Sequence, residues 1–211
     1  MRTPEFITFT GIDDRTDLER ADKLASVFPI EWGVLLSATN RDAKFPSQQA
    51  VNEILDIKGA KSAHLCGDIS RNFQSGFLPE HVDLSRFDRV QVNGIDIDYG
   101  CFDDHSDDLG VSIITQLRGT TFSTLDPMKH WVYELYDCSG GKGLLPATMP
   151  QIPSINEMVG FAGGMGPETV LDYLSKIEGD GQFWIDMEGR VRTNGFFDLD
   201  KVESVCQLVF P

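Results

Sequence analysis

The sequence predicts an α/β fold, a single small (β/α)8 TIM barrel with some helices replaced by loops, and three observations carry that prediction. Eight apolar runs recur along the 211 residues, several of them followed by a stretch of helical periodicity. The runs are continuous rather than alternating, as in strands covered on both faces of a parallel sheet. A chain of this length with 41% hydrophobic residues suits one domain, residues 1–211, with a full core, near the lower size limit of the eight-unit barrel. An open doubly wound sheet is the alternative, although the first strand–helix turn lacks the GxGxxG fingerprint.

Taken in order, "FITFTGI" (6–12) reads as a β-branched strand, and "RTDLERADKLASVF" (15–28) places Leu18, Ala21, Ala25 and Phe28 on one helical face with Leu24 at its edge. The pattern returns as "EWGVLLS" and "SQQAVNEILDI", then as "KSAHLCG" and "ISRNFQSGF". "DRVQVNG" is a fourth strand, followed by an acidic stretch over 95–110 that reads as irregular loop. "VSIITQLRG" and "HWVYELYD" are the fifth and sixth strands. "VGFAGG" precedes a helix in "PETVLDYLSKI" with Pro167 at its start, and "FWIDME" precedes "DLDKVESVCQLV".

Charge and cysteine usage narrow the function classes. With 33 acidic against 18 basic residues the net charge is −15, which disfavours nucleic acid and anionic membrane as partners. No apolar stretch has membrane-spanning length and "MRTPEFITFTG" lacks the apolar core of a secretory signal, so a cytoplasmic protein is expected, monomer or homodimer. The four cysteines lie far apart with no CxxC spacing and are expected as reduced thiols. His64, Cys66 and Asp68 carry ligand-type atoms, but no further ligand lies at suitable spacing, and neither metal nor cofactor is expected.

In a barrel, chemistry gathers where strands end. The polar residues at those eight positions are Thr10, Asp13 and Asp14; Arg41 and Lys44; Cys66 and Asp68; Gln91 and Asn93; Gln116 and Arg118; Asp137; Gly163 and Gly164; and Asp186 and Glu188 with Arg190 and Arg192 beyond. Asp13, Asp14 and Asp198 fit helix caps. Asp137 and Asp186 each close an apolar strand, where a low-dielectric wall raises a carboxyl pKa; a strand-tying salt bridge is the other reading for both. Gln91 and Asn93 suit loop backbone groups or a ligand. Gly163-Gly164 either cradles an anion, because glycine lets the backbone approach closely, or only turns tightly before a helix.

These segments resemble the phosphoribosylanthranilate isomerases. The family's first strand, KICGIT, is matched by "TFTGID" (8–13), VQLHG of strand 4 by "VQVNG" (90–94), and the aspartate plus GGTG loop after strand 6 by Asp137 and "SGGKG" (139–143). AGGLNPENV is matched by "AGGMGPETV" (162–170), and VDVSSGVE with PGIKDPEKI by "WIDMEGRVRTNGFFDLDKV". The resemblance spans nearly the whole chain in order. It implies a phosphorylated small-molecule partner, with phosphate held by the loops after strands 7 and 8 at Gly163, Gly164, Gly189 and Arg190. It also implies an Amadori-type isomerisation with Asp137 as general acid, and further substrate contacts at Lys44, Gln91, Asn93 and Arg192.

Three departures bear on the chemistry. The family's base, the cysteine of KICGIT, is Thr10, and the lysine is Thr8. A threonine hydroxyl needs a strong activating partner to act as a base. Glu188 stands beside the expected phosphate loop, where a carboxylate repels phosphate unless Arg190 or Arg192 offsets it. Two expectations follow: an enzyme acting on a phosphorylated sugar or phosphoribosyl molecule, with Asp68, Asp13 or Asp186 replacing the lost base, or a barrel that binds or sequesters such a compound without converting it.

Overall fold

Ladder hydrogen bonds join eight strands into a closed parallel barrel, each strand beside its sequence neighbour and the last beside the first. The computed structural model describes residues 2–80, 82–93, 102–117, 121–122, 132–137, 144–153 and 158–211. The strands are β1 (Ile7–Thr10), β2 (Ile30–Ser37), β3 (Ala60–Cys66), β4 (Arg89–Val92), β5 (Ser112–Leu117), β6 (Val132–Asp137), β7 (Val159–Ala162) and β8 (Phe183–Met187). Among the described residues the α-helices are α1 (Leu18–Ala25), α2 (Gln48–Asp56), α3 (Asp68–Gln74), α4 (Phe102–Leu109), α5 (Val170–Leu174) and α6 (Leu199–Val209). A two-stranded hairpin, β9 (Arg192–Thr193) with β10 (Phe196–Phe197), follows β8.

Alternation along each strand sorts residues between two environments. Ile7 and Phe9 of β1, Trp32 and Val34 of β2, Ala63 and Leu65 of β3, and Val90 and Val92 of β4 are fully buried in the layer between barrel and helices. Trp32 also satisfies its indole by donating to the Lys58 carbonyl at 2.9 Å. The helix ends follow capping chemistry. Asp17 accepts from the Arg20 amide, Ser47 from the Ala50 amide, and Asp198 from the amides of Asp200 and Lys201.

The structure corrects the element reading in four places. Part of the acidic stretch is helix α4, pinned by buried His105, whose Nε2 lies 3.0 Å from the Phe73 carbonyl and whose ring sits 4.4 Å from that of Phe73. Leu24 is buried together with Ala21 rather than lying at the edge of α1. Helix α5 begins at Val170, so Pro167 belongs to the preceding turn. Of the three carboxylates read as caps, only Asp198 caps its own helix; α1 is capped by Asp17.

Candidate functional site

Strand register decides which side chains meet inside the barrel. Thr10 pairs with Gly33, Asp137 with Ala162, and Ala162 with Asp186. Asp137 and Asp186 therefore flank Ala162 on one inner layer, their backbones two strand spacings, about 10 Å, apart. Thr10 donates from Oγ1 to Asp186 Oδ1 at 2.7 Å, a buried contact joining the first and last strands of the barrel. Gly33 makes room for it: a Cβ there would lie 2.4 Å from Thr10 Oγ1.

Asp186 has an unusual environment for an acid. Burial, above all, pushes its pKa up to about 8, and the nearby charges of Glu31 and Glu188 act in the same direction. The Thr10 hydroxyl and the Arg89 guanidinium oppose the rise without cancelling it. Asp137, on β6, is buried as well, at 8% exposure.

The wall opposite carries amides and a thiol. Asn93 Oδ1 accepts from Gln91 Nε2 at 3.0 Å and from Gln116 Nε2 at 2.8 Å, which turns its own amide nitrogen to Cys66 Sγ at 3.4 Å. Burial pushes the Cys66 thiol up, against the Asn93 hydrogen bond. Cys66 and Cys206 are free thiols. His64 is enclosed beside Ser62, and burial pushes its pKa down to about 4, so the ring is neutral at physiological pH. Asp68 opens α3 and pairs with Arg71 on the exposed side, away from His64 and Cys66. Among the described residues no three His, Cys, Asp or Glu side chains gather to hold a metal ion.

The loops after β7 and β8 abut. Gly163 and Gly164 have φ of 110° and 69°, in the left-handed region that glycine occupies without strain. Thr169 Oγ1 donates to the Gly164 carbonyl at 2.9 Å, bracing the turn. A Cβ on Gly166 would meet the Cβ of Arg190 at 2.5 Å, so the two loops touch, whereas one on Gly189 would meet nothing within 4 Å. Among the described residues, the N–H groups of Gly163, Gly164 and Gly189 donate to no other backbone group, and Arg190 is exposed and makes no ion pair.

Lys44 and Arg192 are committed to other partners. Lys44 Nζ meets Glu188 Oε1 at 2.7 Å, so the carboxylate beside the β8 loop is offset from the β2 side rather than by Arg190 or Arg192. Arg192 donates to the Gly11 carbonyl, to Asp13 Oδ2 at 2.8 Å and to the Gly195 carbonyl, and Asp13 also accepts from the Phe197 amide at 2.8 Å. Both residues thus tie the β9–β10 hairpin to the end of β1. Asp14 binds Ser47, the cap of α2. Arg41 lines a separate open groove of about 1250 Å³ together with Phe45, Phe77 and Phe196. Gly143, Arg118 and the rest of the 139–143 loop lie outside the described residues.

Sequence reasoning passed over Glu31 and Arg89. Arg89 donates from Nε to Glu31 Oε2 at 2.8 Å and from Nη2 to Oε1 at 2.6 Å, and Thr8 Oγ1 donates to the same carboxylate at 2.8 Å. A signal was available: T-x-T in β1, S-x-H-x-C in β3 and R-x-Q-x-N from β4 onward each place polar residues at a period of two, the mark of one shared face.

The barrel fold has counterparts among solved structures. The chain superposes on N-(5'-phosphoribosyl)anthranilate isomerase from Pyrococcus furiosus with a TM-score of 0.61 at 14% identity, covering 97% of this chain and 98% of that one. The chain shares the fold of these isomerases. A phosphoribosylanthranilate isomerase in complex with reduced 1-(o-carboxyphenylamino)-1-deoxyribulose 5-phosphate gives the same TM-score and identity over 96% of both chains. Orotidine 5'-monophosphate decarboxylase from Methanocaldococcus jannaschii, complexed with the inhibitor BMP, follows at a TM-score of 0.52 and 11% identity over 100% of both. No protein-family model and no curated protein sequence matches the chain.

Proposed function

We propose that this barrel is an isomerase of the phosphoribosylanthranilate isomerase type, acting on a phosphorylated sugar or phosphoribosyl small molecule. The observation that carries the reading is the pairing, on one inner layer of the mouth, of two buried carboxylates, one of them held by Thr10 and shifted to about 8. Two acids in different environments divide acid and base roles. The abutting loops at Gly163-Gly164 and Gly189-Arg190, glycine-lined and with unengaged N–H groups, supply the phosphate cradle. Solved isomerases of this fold, one of them holding a phosphorylated ligand, support the same assignment.

In this reading Asp137 protonates the ring oxygen of an aminoaldose as the C1–O bond breaks, leaving the C1–N bond as an iminium. Asp186 then takes the proton from C2, and the electron pair of that C–H bond forms the C1–C2 double bond while the iminium π pair returns to nitrogen. Tautomerisation of the resulting enol gives the aminoketose. Each step is a proton transfer. Asp186 fills the place of the absent cysteine, with Thr10 fixing its orientation. A carboxylate with a pKa of about 8 is a far stronger base than an ordinary one.

The test mixes the protein with phosphoribosylanthranilate and follows the loss of its fluorescence, beside Asp137→Asn and Asp186→Asn. Turnover that disappears in both variants while their melting temperatures hold supports the assignment; turnover that survives either substitution overturns it. Absent turnover with a thermal shift from ribose 5-phosphate, lost in Gly164→Asp, selects the second reading. That reading is a barrel that holds a phosphoribosyl compound without converting it, and the observation favouring it is Thr10 at the place of the base.

A further inference from the structure

The barrel interior divides one guanidinium unequally between two acids. Arg89 is packed against Trp184, 4.3 Å from its ring, and Phe6, 4.7 Å away, and both of its nitrogen contacts with an acid go to Glu31. Thr8 pairs in register with Glu31 on one side and Asp186 on the other, so the three form one inward row across β2, β1 and β8. Strand tilt makes such a row climb through the barrel, from Glu31 near the start of β2 to Asp186 near the end of β8.

We propose that Glu31 is a positioning residue for Asp186: by holding the Nε–Nη2 edge of the Arg89 guanidinium in a bidentate pair it withholds that cation from Asp186, which therefore rests as a protonated acid and becomes a strong base once ionised. Its part in the reaction rests on the acid–base reading above; the protonation state does not. None of the other described groups facing Asp186 offers it a free cation. Lys44 is spent on Glu188, and Glu188 adds negative charge. His64 on β3 is neutral, Asp137 on β6 is a further acid, and β7 presents only Gly160 and Ala162 to the interior. Thr8 and Thr10 on β1 bring hydroxyls, one to each carboxylate.

Infrared spectra recorded against pH read the protonated-carboxyl stretch of Asp186, assigned by its loss in Asp186→Asn. In Glu31→Gln the freed guanidinium, together with loss of the Glu31 charge that raises Asp186, is expected to lower the titration midpoint by about one pH unit or more, a tenfold change in the ionised fraction. In the double variant Glu31→Gln/Arg89→Met no guanidinium is freed, and the midpoint is expected to stay close to that of the wild type. A midpoint unmoved in Glu31→Gln, or moved equally in both variants, overturns the proposal. If Glu31→Gln loses its folded circular dichroism, Glu31→Asp, which draws the carboxylate back by one methylene, is expected to give a smaller fall, and no fall there overturns the proposal. Turnover is not part of this readout, so a protein that shows these shifts and converts no substrate retires the isomerase reading and leaves this inference standing.

Discussion

Glu31, low on the inner wall, and Asp186, at the mouth, are both buried acids of one barrel, yet their surroundings drive them in opposite directions. Burial pushes each up. For Glu31 the Arg89 charge and hydrogen bonds, with the Thr8 hydroxyl, more than reverse that effect and hold the carboxyl below its ordinary range. For Asp186 one threonine hydroxyl and a distant, already engaged guanidinium do not, and the pKa climbs to about 8. The difference is one of partners rather than depth, and it separates an acid whose partners favour its charge from one whose burial opposes it.

The largest expected break of this contrast is Arg89→Ala. It leaves Glu31 buried and uncompensated, and removing one partner of such a pair costs about 3–5 kcal/mol, readable by urea denaturation at pH 7. Next comes Asp186→Asn, compared with wild type across pH. The folded pKa of Asp186 lies above its unfolded value of 3.8, so the stability it contributes is complete below that value and is lost as pH rises through about 8. Wild type is therefore expected to lose ground to the variant by roughly 1.4 kcal/mol per pH unit, about 3 kcal/mol between pH 6 and 8, and a pH-independent difference would contradict the assignment. The smallest effect is that of Thr10→Val, about 1 kcal/mol for one lost hydrogen bond. Because the hydroxyl favours the ionised acid, its loss is expected to raise the Asp186 midpoint further in the same infrared titration.

The barrel was legible because its strands are apolar runs of β-branched and aromatic residues, a signal that needs no knowledge of partners. Helix α4 was not, since a segment reading FDDHSDDL has few apolar residues and its anchor is His105, which declares itself only against Phe73. At the mouth, Thr10, Asp137 and Asp186 were found from their places at strand ends. Glu31 and Arg89 were missed because a charge near the start of a strand reads as solvent-facing until register shows it pointing inward. By sequence Arg192 reads as a substrate contact and Asp13 as a helix cap or replacement base, whereas each is the other's partner across 179 positions of sequence, a pairing no local pattern encodes.

That last pairing has a consequence for the order in which the molecule is made. Asp13 emerges near the beginning of synthesis and must wait for Arg192 and the Phe197 amide before its buried carboxylate is satisfied. Nor can β1 complete its second ladder until β8 exists. Helices and neighbouring strands can gather as they leave the ribosome, but the seam between first and last strands closes only at the end, across the longest loop in the fold. Until Arg192 arrives, the Asp13 side chain at the open edge keeps only its local partners, the Arg15 amide and the Thr16 hydroxyl.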